Sequence, residues 1–136
     1  MYNSINQDSV KTVAKGLQMV ESEAKSENPR GIVIDNTNCT IDQRQAYLKA
    51  AKVHNYTPIA FFFDVDKNTA MFLDKSRINN TNRDHLSSKV GSIPIHTFFK
   101  RLEMPTTKEG FDSVFTVNLV LKFFNPKDEA FYNMIH

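Results

Sequence analysis

Tryptophan is absent from this 136-residue sequence, cysteine occurs once and glycine only four times. Each scarcity excludes something. The lone Cys39 cannot close an internal disulfide, so the cysteine usage is that of a reducing intracellular compartment. None of the glycines stands in a Gly-x-x-x-x-Gly-Lys-Ser/Thr pattern, which leaves no glycine-rich phosphate loop within the chain. No apolar run approaches the roughly 20 residues that span a bilayer, so no membrane partner is expected. The first residues, Met1 to Asn6, carry neither the basic region nor the apolar stretch of a signal peptide. His54, His85, His96 and His136 show no metal-ligand spacing with Cys39 and read as surface or packing residues.

What is present is the composition of one ordinary globular domain, with a formal net charge of +2 that does not by itself argue for a polyanionic partner. The distribution of charge says more. Between Asp74 and Arg101 lie Lys75, Arg77, Arg83, Lys89, Lys100 and Arg101 against Asp74 and Asp84, with His85 and His96 among them. Phosphate is a plausible partner there, the alternative being a solvated helix face followed by a loop.

Periodicity supplies the element order. Tyr2 to Ile5 reads as a short strand, and Val10, Val13, Leu17, Val20 and Ala24 mark one face of a helix from Ser9 to about Glu27. Asn28-Pro29-Arg30-Gly31 is turn chemistry, and Ile32-Val33-Ile34 is a β-branched run expected to be a buried strand. Thr40 with Gln43 is a capping-box pattern for a helix that stops near Asn55, ahead of a second buried strand, Ile59 to Phe63. A polar, basic helix is predicted from Asp66 to about Arg77 and a loop from Asn79 to Ser92. Then come a helix from Pro94 through Phe99, a turn from Thr106 to Phe111, and a last strand, Val114 to Leu121, before a polar tail. The aromatic residues Phe61 to Phe63, Phe98 and Phe99 read as core. Strands alternating with helices predict an α/β fold, a parallel sheet flanked by helices with ligands at the carboxyl ends of its strands.

Asp8 follows the first strand and Asp35 the second, so a parallel arrangement brings both carboxylates to one edge of the sheet. Each also has a local structural reading: Asp8, ahead of Ser9 and Val10, suits a helix N-cap, and Asp35-Asn36-Thr37-Asn38 suits an Asx turn. Phe61-Phe62-Phe63-Asp64-Val65-Asp66 offers a different chemistry. It looks like the nucleophile motif of haloacid-dehalogenase phosphatases, with Asp64 attacking phosphate and Asp66 protonating the leaving group. Asn68 stands where that motif wants Thr or Val, and the competing reading is a strand end and helix N-cap.

The order of Asn6-Gln7-Asp8, Ile34-Asp35-Asn36-Thr37-Asn38, a basic segment and Glu109-Gly110-Phe111 resembles the polynucleotide 5′-hydroxyl kinase domain of the bifunctional polynucleotide kinase/3′-phosphatases, nearly end to end. The resemblance implies a partial P-loop kinase fold over residues 1–136 that lacks the phosphate-loop strand, with a lid at about residues 66–92. It implies Asp8 as general base towards a 5′-hydroxyl and Asp35 beside a magnesium ion, contacting it indirectly. Arg77 would be a catalytic lid residue acting on the phosphoryl group in flight, with Lys75 near the nucleotide phosphates. Arg44, Arg83 and Lys89 would face nucleic acid.

The partners so implied are DNA 5′-hydroxyl ends, or RNA, and a missing N-terminal half of the same enzyme. The location implied is the nucleus and the role DNA end repair. ATP and Mg2+ are the family's cofactors, and neither is expected to bind tightly to this chain alone, since the phosphate cradle is absent. A truncated product or one half of a split gene is the corresponding expectation, as is a non-catalytic nucleic-acid-binding remnant. The sequence departs from the family pattern at Gln7 and Ala46, each in place of an arginine, and Lys75 also stands for an arginine.

Overall fold

Thr12 and Thr40 begin the first two helices in the same way: each hydroxyl accepts a hydrogen bond from the backbone N–H three residues on, at 3.3 Å from Lys15 and 3.4 Å from Gln43. That contact satisfies a donor that the helix itself cannot. At Thr40 the Gln43 side chain accepts from the Thr40 N–H in return, completing the capping box expected from the sequence. The computed structural model describes residues 2–6, 12–76, 90–120, 122 and 126–135. In them the order is β1 (Tyr2–Asn6), α1 (Val13–Ala24), β2 (Gly31–Asp35), α2 (Ile41–Val53), β3 (Ile59–Asp64), α3 (Lys67–Ser76), α4 (Ser92–Arg101), a 3-10 turn (Thr107–Glu109), β4 (Ser113–Asn118) and α5 (Pro126–Ile135).

The alternation predicted from sequence is present, with four corrections. Helix α1 is capped by Thr12 and closes at Ala24 with Lys25 as C-cap, short of the expected Glu27, while the expected start at Ser9 with Asp8 ahead of it lies outside the described residues. Helix α4 begins two residues ahead of Pro94, which therefore sits in the first turn, where its missing N–H removes no helical bond. Strand β4 ends at Asn118, and the expected polar tail is helix α5, opened by Pro126 with its preset φ.

The chain forms two compact units, Met1–Ala60 with Glu103–Phe115, and Phe61–Leu102 with Thr116–His136. In the first unit β1 and β2 pair in parallel, from Tyr2 opposite Gly31 to Asn6 opposite Asp35, with α1 as the crossover. Ile5, 2% exposed, and Val20 form the core, and Ile32, Ile34, Tyr47 and Ala50 pack on it. Alternation along the strand turns Val33 the other way, where it is exposed, so β2 is buried on one face and not on both. Parallel sheets are ordinarily covered on both faces.

Gly16 lies on α1 directly beneath the Tyr47 ring, and a Cβ there would sit 2.5 Å from the hydroxyl oxygen. Gly16→Ala is therefore expected to lower the urea midpoint although alanine is worth about 1 kcal/mol more in a helix. Adding Tyr47→Phe, which removes the blocking oxygen, should restore it.

In the second unit Phe72 is buried on α3 and meets the Tyr132 ring of α5 edge-on at 5.4 Å. Asp74, 6% exposed, accepts hydrogen bonds from the N–H groups of Val90 (2.8 Å) and Gly91 (3.0 Å), fastening the start of α4 to α3. Strands β3 and β4 form a separate two-stranded sheet. β3 was expected to be buried, yet Phe61 and Phe63 are 62% and 67% exposed. Three apolar side chains at alternate positions, Ile59, Phe61 and Phe63, are exposed, and Phe98 and Phe99 make an edge-on pair within α4.

Candidate functional site

Since β1 and β2 run parallel with Asn6 opposite Asp35, the chain leaves both strands at one sheet edge. Asp35 stands exposed at that edge, at the carboxyl end of β2. Asp8, two residues beyond Asn6, lies outside the described residues, as do Arg77, Arg83 and Lys89. Lys75 is exposed in the last turn of α3, where its charge complements the helix dipole. Among the described residues no group of three or more His, Cys, Asp or Glu could hold a metal ion.

The loop after Asp35 is fixed by a clasp that reaches across the sequence. Asn38 adopts the left-handed region at φ 39°, which asparagine tolerates better than most residues. Its carbonyl oxygen accepts a hydrogen bond from Arg44 Nη1 at 3.0 Å. The same guanidinium grips Glu109 with two parallel bonds, Nε to Oε2 at 2.7 Å and Nη2 to Oε1 at 2.9 Å, with both side chains at 7% and 5% exposure. A planar fork is what such a grip requires. Arg44 was expected to face nucleic acid; here its guanidinium is engaged with protein.

The segment carrying Glu109 is itself prepared for this contact. The Thr106 and Glu109 capping box and Gly110 in the left-handed region at φ 114° shape the 3-10 turn. Gln45 Nε2 donates to the Glu109 carbonyl at 3.0 Å. Glu103 adds a second tie: its N–H donates to the Cys39 carbonyl and its carboxylate accepts from the Ile41 N–H, both at 2.8 Å. Burial acts to raise the Glu109 pKa, but the Arg44 guanidinium and the Thr106 N–H outweigh it and hold the carboxyl below its usual range. Burial also pushes the Tyr47 phenol up, with Asn36 acting in the opposite direction. The turn from Thr106 to Phe111 was visible in the sequence; the pairing of its Glu109 with Arg44, 65 positions away, was not.

Asp64 and Asp66 line a cleft of about 400 Å³ in the second unit, together with Thr69, Leu119, Val120 and Tyr132. Asp66 caps α3: Oδ1 accepts from the N–H groups of Asn68 (2.9 Å) and Thr69 (3.0 Å), and Oδ2 from the Thr69 hydroxyl at 2.5 Å. Thr69 Oγ1 is also 3.3 Å from the Tyr132 hydroxyl. Both carboxylate oxygens of Asp66 thus serve the helix end. No helix among the described residues is long and apolar enough to cross a membrane.

The fold defines an α/β protein with a small parallel sheet flanked by helices. No family model matches the sequence. The chain is 30% identical over 115 residues to the bifunctional polynucleotide phosphatase/kinase of Schizosaccharomyces pombe, covering 83% of this chain and 26% of that protein. It is 33% identical over 120 residues to an Acanthamoeba polyphaga mimivirus protein provisionally given the same bifunctional name, covering 85% of this chain and 27% of that one. The chain belongs to the polynucleotide phosphatase/kinase family, and it spans about a quarter of the length of the curated relatives it matches.

Proposed function

We propose that this chain is the acceptor-side part of a polynucleotide 5′-hydroxyl kinase, and that it transfers no phosphate by itself. The observation that supports this reading is the parallel pairing of Asn6 with Asp35, by which the chain leaves β1, two residues ahead of Asp8 in sequence, at the edge where Asp35 stands. A carboxylate after each of two adjacent parallel strands suits phosphoryl transfer, where one group orients and deprotonates the acceptor and another helps neutralise charge around a cation. In this reading Asp8 is the base, Asp35 sits beside Mg2+, and Lys75 and Arg77 belong to a cationic lid. Arg83 and Lys89 extend that lid towards the nucleic acid, a DNA 5′-hydroxyl end or its RNA counterpart. When bound, ATP would supply the phosphoryl group.

The phosphate cradle has to come from another segment of polypeptide, because no glycine here has the required spacing. The exposed Val33 on β2 supports the same conclusion, since both faces of a parallel sheet are normally buried by neighbouring elements. The reading extends to end repair in the nucleus. A phosphatase reading through Asp64 and Asp66 is disfavoured, since the group needed to protonate the leaving group is occupied in capping α3.

The test is incubation of the 136-residue chain with labelled ATP, Mg2+ and a 5′-hydroxyl oligonucleotide. No transfer is expected. Robust transfer that disappears on Asp8→Ala would overturn the view that a further segment is needed, and Mg2+-dependent phosphate release lost on Asp64→Asn would favour the phosphatase instead.

A further inference from the structure

We infer that Arg44, Glu109 and Glu103 are positioning residues for the candidate site: they set the conformation of the loop that follows Asp35, through Asn38, the two glutamates reaching it from more than sixty positions along the sequence. The inference rests on the kinase reading for what the loop does, and on geometry alone for how it is held. Asn38 is in a left-handed conformation that costs energy unless its surroundings fix it. Three bonds do so. Arg44 Nη1 holds the Asn38 carbonyl, the Glu103 N–H holds the Cys39 carbonyl, and the Glu103 carboxylate takes up the first free N–H of α2 at Ile41.

Arg44 cannot place Nη1 on Asn38 independently of Glu109. The guanidinium is planar, and the two bonds to Glu109 fix both the plane and its rotation, leaving Nη1 aimed at the Asn38 carbonyl. Glu109 in turn is held by the Thr106 N–H and through its own carbonyl by Gln45. The clasp thus transmits the geometry of the 3-10 turn into the loop that follows Asp35. Cys39 and Arg44 are both buried, which leaves little room for the loop to relax around a missing contact.

A buried pair that serves only stability and one that serves positioning respond differently to replacement by an apolar pair. Arg44→Met with Glu109→Leu removes both charges together, and such swaps are often neutral for stability. It also removes the donor to Asn38. The expected result, by amide NMR on the full chain, is a denaturation midpoint near wild type but displaced Asn36, Thr37 and Asn38 resonances. Their order parameters should fall from about 0.85 towards 0.6 or below. Unmoved, rigid loop resonances in that folded variant would overturn the inference. If the apolar pair does not fold, Arg44→Lys decides on the same resonances, because an ammonium keeps the charge but cannot span Glu109 and Asn38 with a fixed fork. A rigid, unshifted loop in Arg44→Lys would overturn the inference equally. A parallel Mg2+ titration of the wild type separates the two claims: absent shifts at Asp35 count against the magnesium role in the kinase reading and leave the loop result standing.

Discussion

In a form of the protein that also carries a phosphate loop, Asp8→Asn is expected to lower phosphoryl transfer to a 5′-hydroxyl end by about 10²- to 10⁴-fold, the usual contribution of a positioned general base. ATP affinity should stay nearly unchanged. The reason is positional: β1 and β2 lie side by side in parallel, so a residue shortly after Asn6 is delivered to the edge that Asp35 occupies. A base there acts on the acceptor oxygen and makes no call on the nucleotide. Single-turnover transfer measured beside equilibrium ATP binding checks this. Joint loss of both would assign Asp8 to nucleotide binding or to folding. Arg77→Ala in the same form should reduce turnover with little change in oligonucleotide affinity, because a lid cation acts on charge that develops during transfer.

The second large effect is on stability. Arg44→Ala leaves the Glu109 carboxylate enclosed without its partner, and breaking a buried ion pair from one side costs about 3 kcal/mol or more. The exposed pair Lys25 and Glu21 on α1, screened by solvent, should matter far less. Glu109→Gln should cost less, since an amide can still accept one of the two bonds.

The same pair gives stability a defined pH dependence. The Glu109 carboxyl is lowered in the folded state, so its stabilising contribution is complete above the unfolded value of about 4.5 and is lost as pH falls through the lower folded value. Urea midpoints of wild type and Glu109→Gln measured from pH 7 down to pH 3 should therefore converge in acid. Midpoints that stay parallel across that range would show that Glu109 carries no such linkage.

How far the sequence can be read depends on the range of the interaction that decides each feature. Helix starts such as Thr40 with Gln43 and the turn at Thr106 with Glu109 are set within three residues, and both were legible. The end of α1 fell three residues short of the expected Glu27, because the polar run Lys25-Ser26-Glu27 carries no local stop signal ahead of Pro29. Helix α5 was missed because its interior residues looked like a polar tail, while Phe72, more than fifty positions earlier, supplies the packing surface for Tyr132.

Burial was the least legible property. Ile59, Phe61 and Phe63 have the composition of a core strand, and composition cannot say whether the covering elements are present in the same chain. At the candidate site, the place of Asp35 at the end of β2 followed from its strand and loop pattern, both local. Glu103 and the role of Arg44 did not, because each depends on a segment some sixty positions away and on a planar fork whose partner no short pattern names.

The most direct measurement of the central claim is transfer of labelled γ-phosphate to a 5′-hydroxyl oligonucleotide, run side by side on this chain alone and on the same chain preceded by a strand, a Gly-x-x-x-x-Gly-Lys-Ser/Thr loop and a helix. The acceptor-side reading predicts transfer from the second protein and none from the first. Transfer by the chain alone would contradict it, and so would failure of the second protein to transfer although it is folded and binds ATP.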